Sequence, residues 1–240
     1  MKSKFLLFLT LTAMLLAARL PAQTNSSNSA WVPATRASPK NWMSRHEKFV
    51  AQAKHGGIDI LFMGDSITDF WRNRGSNVWN EYYAPRHAAN FGIGGDRTQH
   101  VLWRIENGEL DNIHPKVTVL MIGTNNSRSN SSDDIADAIR KILDVIHEKI
   151  PDTKILLLAI FPRNTKNDTE EMHETIRQVN EKIAKYDNGS TVKFLDIGAK
   201  FLGPDGKVHS DVMADFLHPT EKGYRIWAAA MNPTLDKMMK

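Results

Sequence analysis

None of the strand-like segments in this 240-residue chain alternates polar with apolar residues, and no other feature narrows its fold as much. Ile58 to Met63 (broken only by Asp59), Val117 to Ile122, Ile155 to Ile160 and Val192 to Leu195 are short, nearly continuous apolar runs. Runs of this length bounded by turn signals read as strands covered on both faces, as in a parallel sheet. A further short strand is expected over Ala88 to Phe91. Between the runs, apolar residues recur at helical spacing: Trp42, His46, Phe49 and Val50; Val101, Leu102 and Ile105; Ile135 to Ile150; Met172 to Ile183; Tyr224 to Leu235. The dense aromatics from Phe70 to Tyr83 read as helical packing against the sheet. Strand and helix take turns throughout, which predicts one α/β domain, a three-layer sandwich around a mostly parallel sheet. Ser38-Pro39 should open the first helix and Gly56-Gly57 close it. Asn107-Gly108 and Pro151-Asp152 should stop two others, and Pro233 should kink or restart the last.

The domain is expected over residues 38–240. Ahead of it, Lys2 and Lys4 precede an apolar run from Phe5 to Ala17 and then Leu20-Pro21-Ala22, the layout of a secretory signal peptide over residues 1–22. The run is shorter than the roughly 20 residues a membrane-spanning helix needs, so no stable membrane insertion is expected. Residues 23–37 are small and polar and read as a flexible leader. The chain is expected to be secreted or periplasmic. It contains no cysteine, so its core must hold it without disulfides. The formal charge of +4 includes Lys2, Lys4 and Arg19 of the leader peptide; without them +1 remains. Such a balance argues against a nucleic-acid partner.

The chemistry-bearing residues gather at strand exits. The first strand ends in Gly64-Asp65-Ser66, the second in Gly92-Ile93-Gly94-Gly95-Asp96, the third in Gly123-Thr124-Asn125. Parallel neighbours would bring Ser66, Gly95 and Asn125 to one rim, where open α/β sheets bind ligands. Ester chemistry needs a nucleophile, a base, an orienter for the base and donors for the oxyanion. Ser66 would be the nucleophile. The backbone N–H groups of Ser66 and Gly95 and the Asn125 side-chain amide would form the oxyanion hole. In isolation the glycine loop is equally a plain strand-to-helix turn, and Arg97 at its last position excludes a dinucleotide fingerprint. His218, in Asp215-Phe216-Leu217-His218-Pro219, is the candidate base, with Asp215 to hold its tautomer; alone it reads more readily as an incidental histidine before a helix cap. A metal set of His209, Asp211, Asp215 and His218 would leave Ser66, Gly95 and Asn125 without roles. Asp96, Arg97, Arg128, Phe161, Arg163 and Phe216 follow strand ends or flank the histidine and are candidates to shape the pocket; each fits a surface or packing position equally well. A Gly-x-Ser-x-Gly elbow is missing, so an ordinary α/β-hydrolase is not expected.

These four blocks, in this order, resemble the SGNH (GDSL-type) hydrolase family, with Ile67 where leucine is usual. Within it, Phe-Gly-Ile-Gly-Gly-Asp, Val-Leu-Trp-Arg and Asn-Gly-Glu-Leu, between Asn90 and Asn126, resemble the catalytic α subunits of platelet-activating-factor acetylhydrolase. The resemblance implies a flavodoxin-like fold with a five-stranded parallel sheet and helices on both faces. It also implies Ser66, His218 and Asp215 as catalytic residues, the three oxyanion donors named above, and neither metal nor organic cofactor. It points to a serine esterase acting on short-chain esters, acetyl above all, of a carbohydrate or other small-molecule acceptor. A phospholipid acetylhydrolase and a non-catalytic carbohydrate-binding module are the alternatives. The animal relatives dimerise, so a homodimer is within the resemblance, although no surface stripe establishes one.

Overall fold

In the computed structural model, residues 30–36 and 40–240 are described. The expected signal peptide, most of the expected leader and the Ser38-Pro39 helix start lie outside the described residues. The strands are β1 (Ile60–Gly64), β2 (Ala88–Asn90), β3 (Val117–Met121), β4 (Lys154–Leu158) and β5 (Val192–Leu195). They form one fully parallel sheet in the order β2-β1-β3-β4-β5. The helices are α1 (Lys40–His55), α2 (Ser66–Asp69), α3 (Ser76–Tyr82), α4 (Thr98–Arg104), α5 (Ser132–Lys149), α6 (Glu170–Ile183) and α7 (Glu221–Met238). The sheet order and the helices on both faces are those of a flavodoxin-like sandwich.

The continuous apolar runs have a direct cause. Successive strand residues point to opposite faces, and both faces are covered. Leu61, Met63, Leu120, Ile155 and Leu157 enter a core with α1, α4, α5 and α6. Ile60, Phe62, Val119, Leu156 and Leu158 enter a second core with α2, α3 and α7. The Phe70–Tyr83 aromatics belong to the second core: Trp71 and Tyr83 are wholly buried, and their rings meet Phe62, Trp79, Tyr224 and Trp227. The stretch is nevertheless broken, with a single turn of 3₁₀ helix at Phe70–Arg72 before α3.

Two local expectations change. α7 does not restart at Pro233 but continues to Met238. The carbonyl that loses its partner is that of Ala229, on the exposed side, where water can satisfy it. Residues 30–36 are not a loose leader. Ala30 is fully buried and its carbonyl accepts the Thr98 hydroxyl at 2.7 Å, while Ala34 N–H donates to Gln99 C=O at 3.1 Å. The segment Ala-Trp-Val-Pro-Ala-Thr-Arg is instead a strap whose backbone is hydrogen-bonded to the start of α4.

Candidate active site

The strand order reverses direction between β1 and β3. From β1 the chain goes outward to β2, then crosses back to β3 on the other side. That switch point opens a crevice beyond the carboxyl ends of the strands, and the exits of β1, β2 and β3 converge there.

Gly64 ends β1 in close quarters. A Cβ at this position would lie 2.3 Å from both Met121 C=O and Thr68 Oγ1. The residue is therefore glycine for lack of space. Asp65 then caps α2, its Oδ1 accepting the Ile67 N–H at 2.9 Å. Ser66 is the first helical residue, so its own N–H has no acceptor within the helix. The fully buried Tyr224 donates its hydroxyl proton to Ile67 C=O at 2.7 Å and pins the turn from α7.

His218 arrives from the loop before α7. Its Nε2 lies 2.8 Å from Ser66 Oγ, and its Nδ1 lies 2.8 Å from Asp215 Oδ2. Asp215 Oδ1 also accepts the backbone N–H groups of His218 at 2.7 Å and Leu217 at 3.2 Å, so one carboxylate both shapes the loop and orients the ring. Burial pushes the Asp215 carboxyl up, but the hydrogen bonds from His218 outweigh it and hold the group below the usual carboxylate range. Phe216 between them has φ +58°, a left-handed conformation that costs a bulky residue about 1–2 kcal/mol. Neighbours not singled out from the sequence complete the surroundings: Phe70 packs on the imidazole with centroids 4.9 Å apart, and Arg74 Nη1 lies 3.6 Å from Asp215 Oδ2.

The glycine turn after β2 comes up beside Ser66. A Cβ on Gly94 would sit 3.7 Å from that of Ser66. Asp69, at the end of α2, accepts Gly94 N–H at 3.0 Å and is held in turn by both guanidinium nitrogens of Arg45, at 2.5 and 2.6 Å, and by Arg72 at 2.6 Å. Burial raises the Asp69 carboxyl, but the Arg45 hydrogen bonds dominate and keep it low. Gly95 has φ +79°, and Asn125 Nδ2 donates to Asp96 C=O at 2.8 Å. An amide nitrogen carries two protons, so one remains to point elsewhere. The nucleophile candidate, the histidine, its aspartate and the three donor positions therefore share one rim.

The remaining candidates separate. Asp96 is wholly buried and shapes no pocket with its side chain: it accepts Trp42 Nε1 at 2.7 Å and Arg104 Nε at 2.9 Å. Burial nevertheless lifts its carboxyl to about 6. Phe161 is likewise a core residue, packed against Phe201 and Trp227. Both follow strand ends, but their side chains point back under the rim. Arg163 is held by Asp168, at 3.0 Å through Nε and 2.6 Å through Nη2. Arg97, Arg128 and Arg163 border a cleft of about 200 Å³ with Gly95, Asn125 and Leu217. Phe216 faces a separate hollow beside His209. The conceivable metal set does not assemble: His209 pairs with Asp205 and Asp211 with Lys222, and no group of three metal-ligating side chains occurs among the described residues.

Comparison with known proteins gives the family and the fold. Residues 62–226 match the GDSL-like lipase/acylhydrolase family. The chain belongs to that family. It is 41% identical over 188 residues to the platelet-activating factor acetylhydrolase IB subunit alpha2 of Rattus norvegicus, covering 76% of this chain and 78% of that one. Its fold resembles a GDSL-like lipase of Bacteroides thetaiotaomicron (TM-score 0.65, 18% identity, 80% and 97% of the two chains). It also resembles a carbohydrate esterase of family 3 from Talaromyces cellulolyticus (TM-score 0.55, 19% identity, 76% and 98%). As a GDSL-type acylhydrolase, the protein is an enzyme that hydrolyses esters.

Proposed function

We propose that the protein is an exported serine esterase that removes short acyl groups, acetyl above all, from carbohydrate hydroxyls. The observation that carries the mechanism is the unbroken relay of two 2.8 Å contacts from Ser66 through His218 to Asp215. Ser66 Oγ bonds to the ester carbonyl carbon as His218 Nε2 takes its proton. The oxyanion is met by the N–H groups of Ser66 and Gly95 and the Asn125 amide. The tetrahedral intermediate expels the acceptor alkoxide, which takes the proton from His218 and leaves as an alcohol. Water, deprotonated by the same imidazole, then releases the acid from the acyl-enzyme. Asp215 keeps Nδ1 protonated and stabilises the imidazolium in both halves.

The acceptor is argued from the walls. The cleft at Gly95 and Asn125 meets a larger groove of about 520 Å³, the two sharing Arg128 and Met172. Ser127, Ser129, Asn130, Ser131, Asn167, Thr169 and Thr175 line the groove. Hydroxyls and amides suit a polyol, whereas an alkyl chain needs apolar walls. Export rests on the pattern of residues 1–22, and no described helix is long and apolar enough to cross a membrane. The acetylhydrolase that is 41% identical favours a second reading, hydrolysis of a 2-acetyl phospholipid.

Initial rates on acetylated xylan fragments, acetylated sialic acid and a 2-acetyl phospholipid, measured side by side, separate the two. The carbohydrate esters should turn over faster. Ser66→Ala should abolish turnover of all three and of p-nitrophenyl acetate, and undiminished hydrolysis by that variant would refute the mechanism.

A further inference from the structure

The strap of residues 30–36 delivers one side chain to the glycine turn. Arg36 Nη1 donates to Gly94 C=O at 2.5 Å and lies 3.7 Å from Asp96 Oδ1. The guanidinium covers the face of Gly95 that a side chain would occupy: a Cβ there would stand 3.0 Å from both Nη1 and Nη2 and 3.3 Å from Cζ. No other arginine bonds to Gly94 among the described residues; Arg45 and Arg72 bond to Gly92 C=O.

Gly94 C=O and Gly95 N–H are two ends of one planar peptide. In the mechanism proposed above, on which this inference rests, that N–H is an oxyanion donor. A cation bonded to the carbonyl end draws electron density through the amide and makes its N–H a stronger donor, and a charge-assisted bond is about twice as strong as a neutral one. Position matters as much. Two adjacent glycines are the most mobile backbone available, yet this pair is held from both sides, with Asp69 on the Gly94 N–H and Arg36 on the Gly94 C=O. We infer that Arg36 is a positioning residue for catalysis, orienting and polarising the peptide whose N–H meets the oxyanion. The segment ahead of α1 is then a working part of the active site.

The test compares Arg36→Ala, Arg36→Gln and Arg36→Lys with the parent and Ser66→Ala, using p-nitrophenyl acetate and concentrations of active sites titrated with a fluorophosphonate. Because the donor is weakened and not deleted, kcat of Arg36→Ala should fall about 10-fold, less than the 10²–10³ for a lost donor, with KM within twofold. Low millimolar guanidinium should restore part of that loss in Arg36→Ala and leave the parent unchanged. Arg36→Lys should keep more activity than Arg36→Gln. If the alanine variant does not fold, the glutamine variant, which keeps a donor without the charge, should still lose severalfold in kcat. A parent-like kcat in folded Arg36→Ala or Arg36→Gln overturns the inference, as does a loss confined to KM or one that guanidinium does not touch. A parent without Ser66-dependent hydrolysis would instead overturn the mechanism and this inference with it.

Discussion

Asp215→Asn separates the two tasks that one carboxylate performs. Asparagine can keep its Oδ1 on the N–H groups of Leu217 and His218, so the loop should stay in place. It loses the negative oxygen 2.8 Å from His218 Nδ1. Once the ring is protonated, the two charge centres lie about 4 Å apart, worth about 1 kcal/mol in bulk water and about 4 kcal/mol at an effective dielectric of 20. The Asp215 side chain is 46% exposed and that of His218 18%, so an intermediate value of about 2–3 kcal/mol applies. That corresponds to a rate loss of about 30- to 150-fold. The Asn amide also favours the wrong imidazole tautomer, which brings the expected loss in kcat to about 10²–10³. The assay is steady-state hydrolysis of p-nitrophenyl acetate with burst amplitudes to count active sites. Thermal melting checks the loop, and Asp215→Ala should melt lower than Asp215→Asn because two backbone donors lose their acceptor. A kcat within threefold of the parent at full burst amplitude would show that Asp215 does not orient the base.

Three further outcomes are expected. Asn125→Ala should lower kcat by about 10²–10³ with little change in KM, the usual effect of losing one oxyanion donor; a loss in KM alone would assign the amide to substrate binding. Asp65 is wholly buried with Oδ2 unbonded, and burial raises its carboxyl to about 7. Between about pH 4, where the unfolded side chain ionises, and pH 7, the native protein therefore holds a proton that the unfolded chain has lost, and stability falls as pH rises through that window. Urea unfolding of Asp65→Asn should lack this component, so its stability relative to the parent should climb from pH 4.5 to 7.5; a flat difference would contradict the burial argument. Arg104 is fully buried, with Nε on Asp96 at 2.9 Å and Nη1 on Glu109 at 2.5 Å. Arg104→Met should cost about 3–5 kcal/mol of unfolding free energy by stranding two buried carboxylates, and a loss below 1 kcal/mol would show that they are reached by water.

Sequence periodicity accounted for every strand and the long helices, because a parallel strand covered on both faces must be apolar at successive positions and an amphipathic helix cannot hide its 3.6-residue period. The boundaries moved by a few residues at most, as at β4, which runs from Lys154 to Leu158. The residues at the rim were legible for a related reason. Ser66, Gly95 and Asn125 each end an apolar run, and in a parallel sheet all such ends lie on one side. His218 and Asp215 were legible through their spacing, although the 2.8 Å contacts come from the folded loop.

What could not be read from the chain alone are the contacts between segments without periodicity. Asp96 and Phe161 follow strand ends as Asn125 does, yet their side chains turn inward, and only the packing of Arg104, Trp42, Phe201 and Trp227 around them decides this. Gly64 owes its identity to Met121 and Thr68 pressing on it from outside the turn. Arg36 stands in a short stretch with neither helical nor strand periodicity, and its place on Gly94 follows from two strap hydrogen bonds to residues more than 60 positions away. Local patterns reveal which face of an element meets water, whereas the partner of a single polar side chain is settled by distances that exist only once the layers have closed.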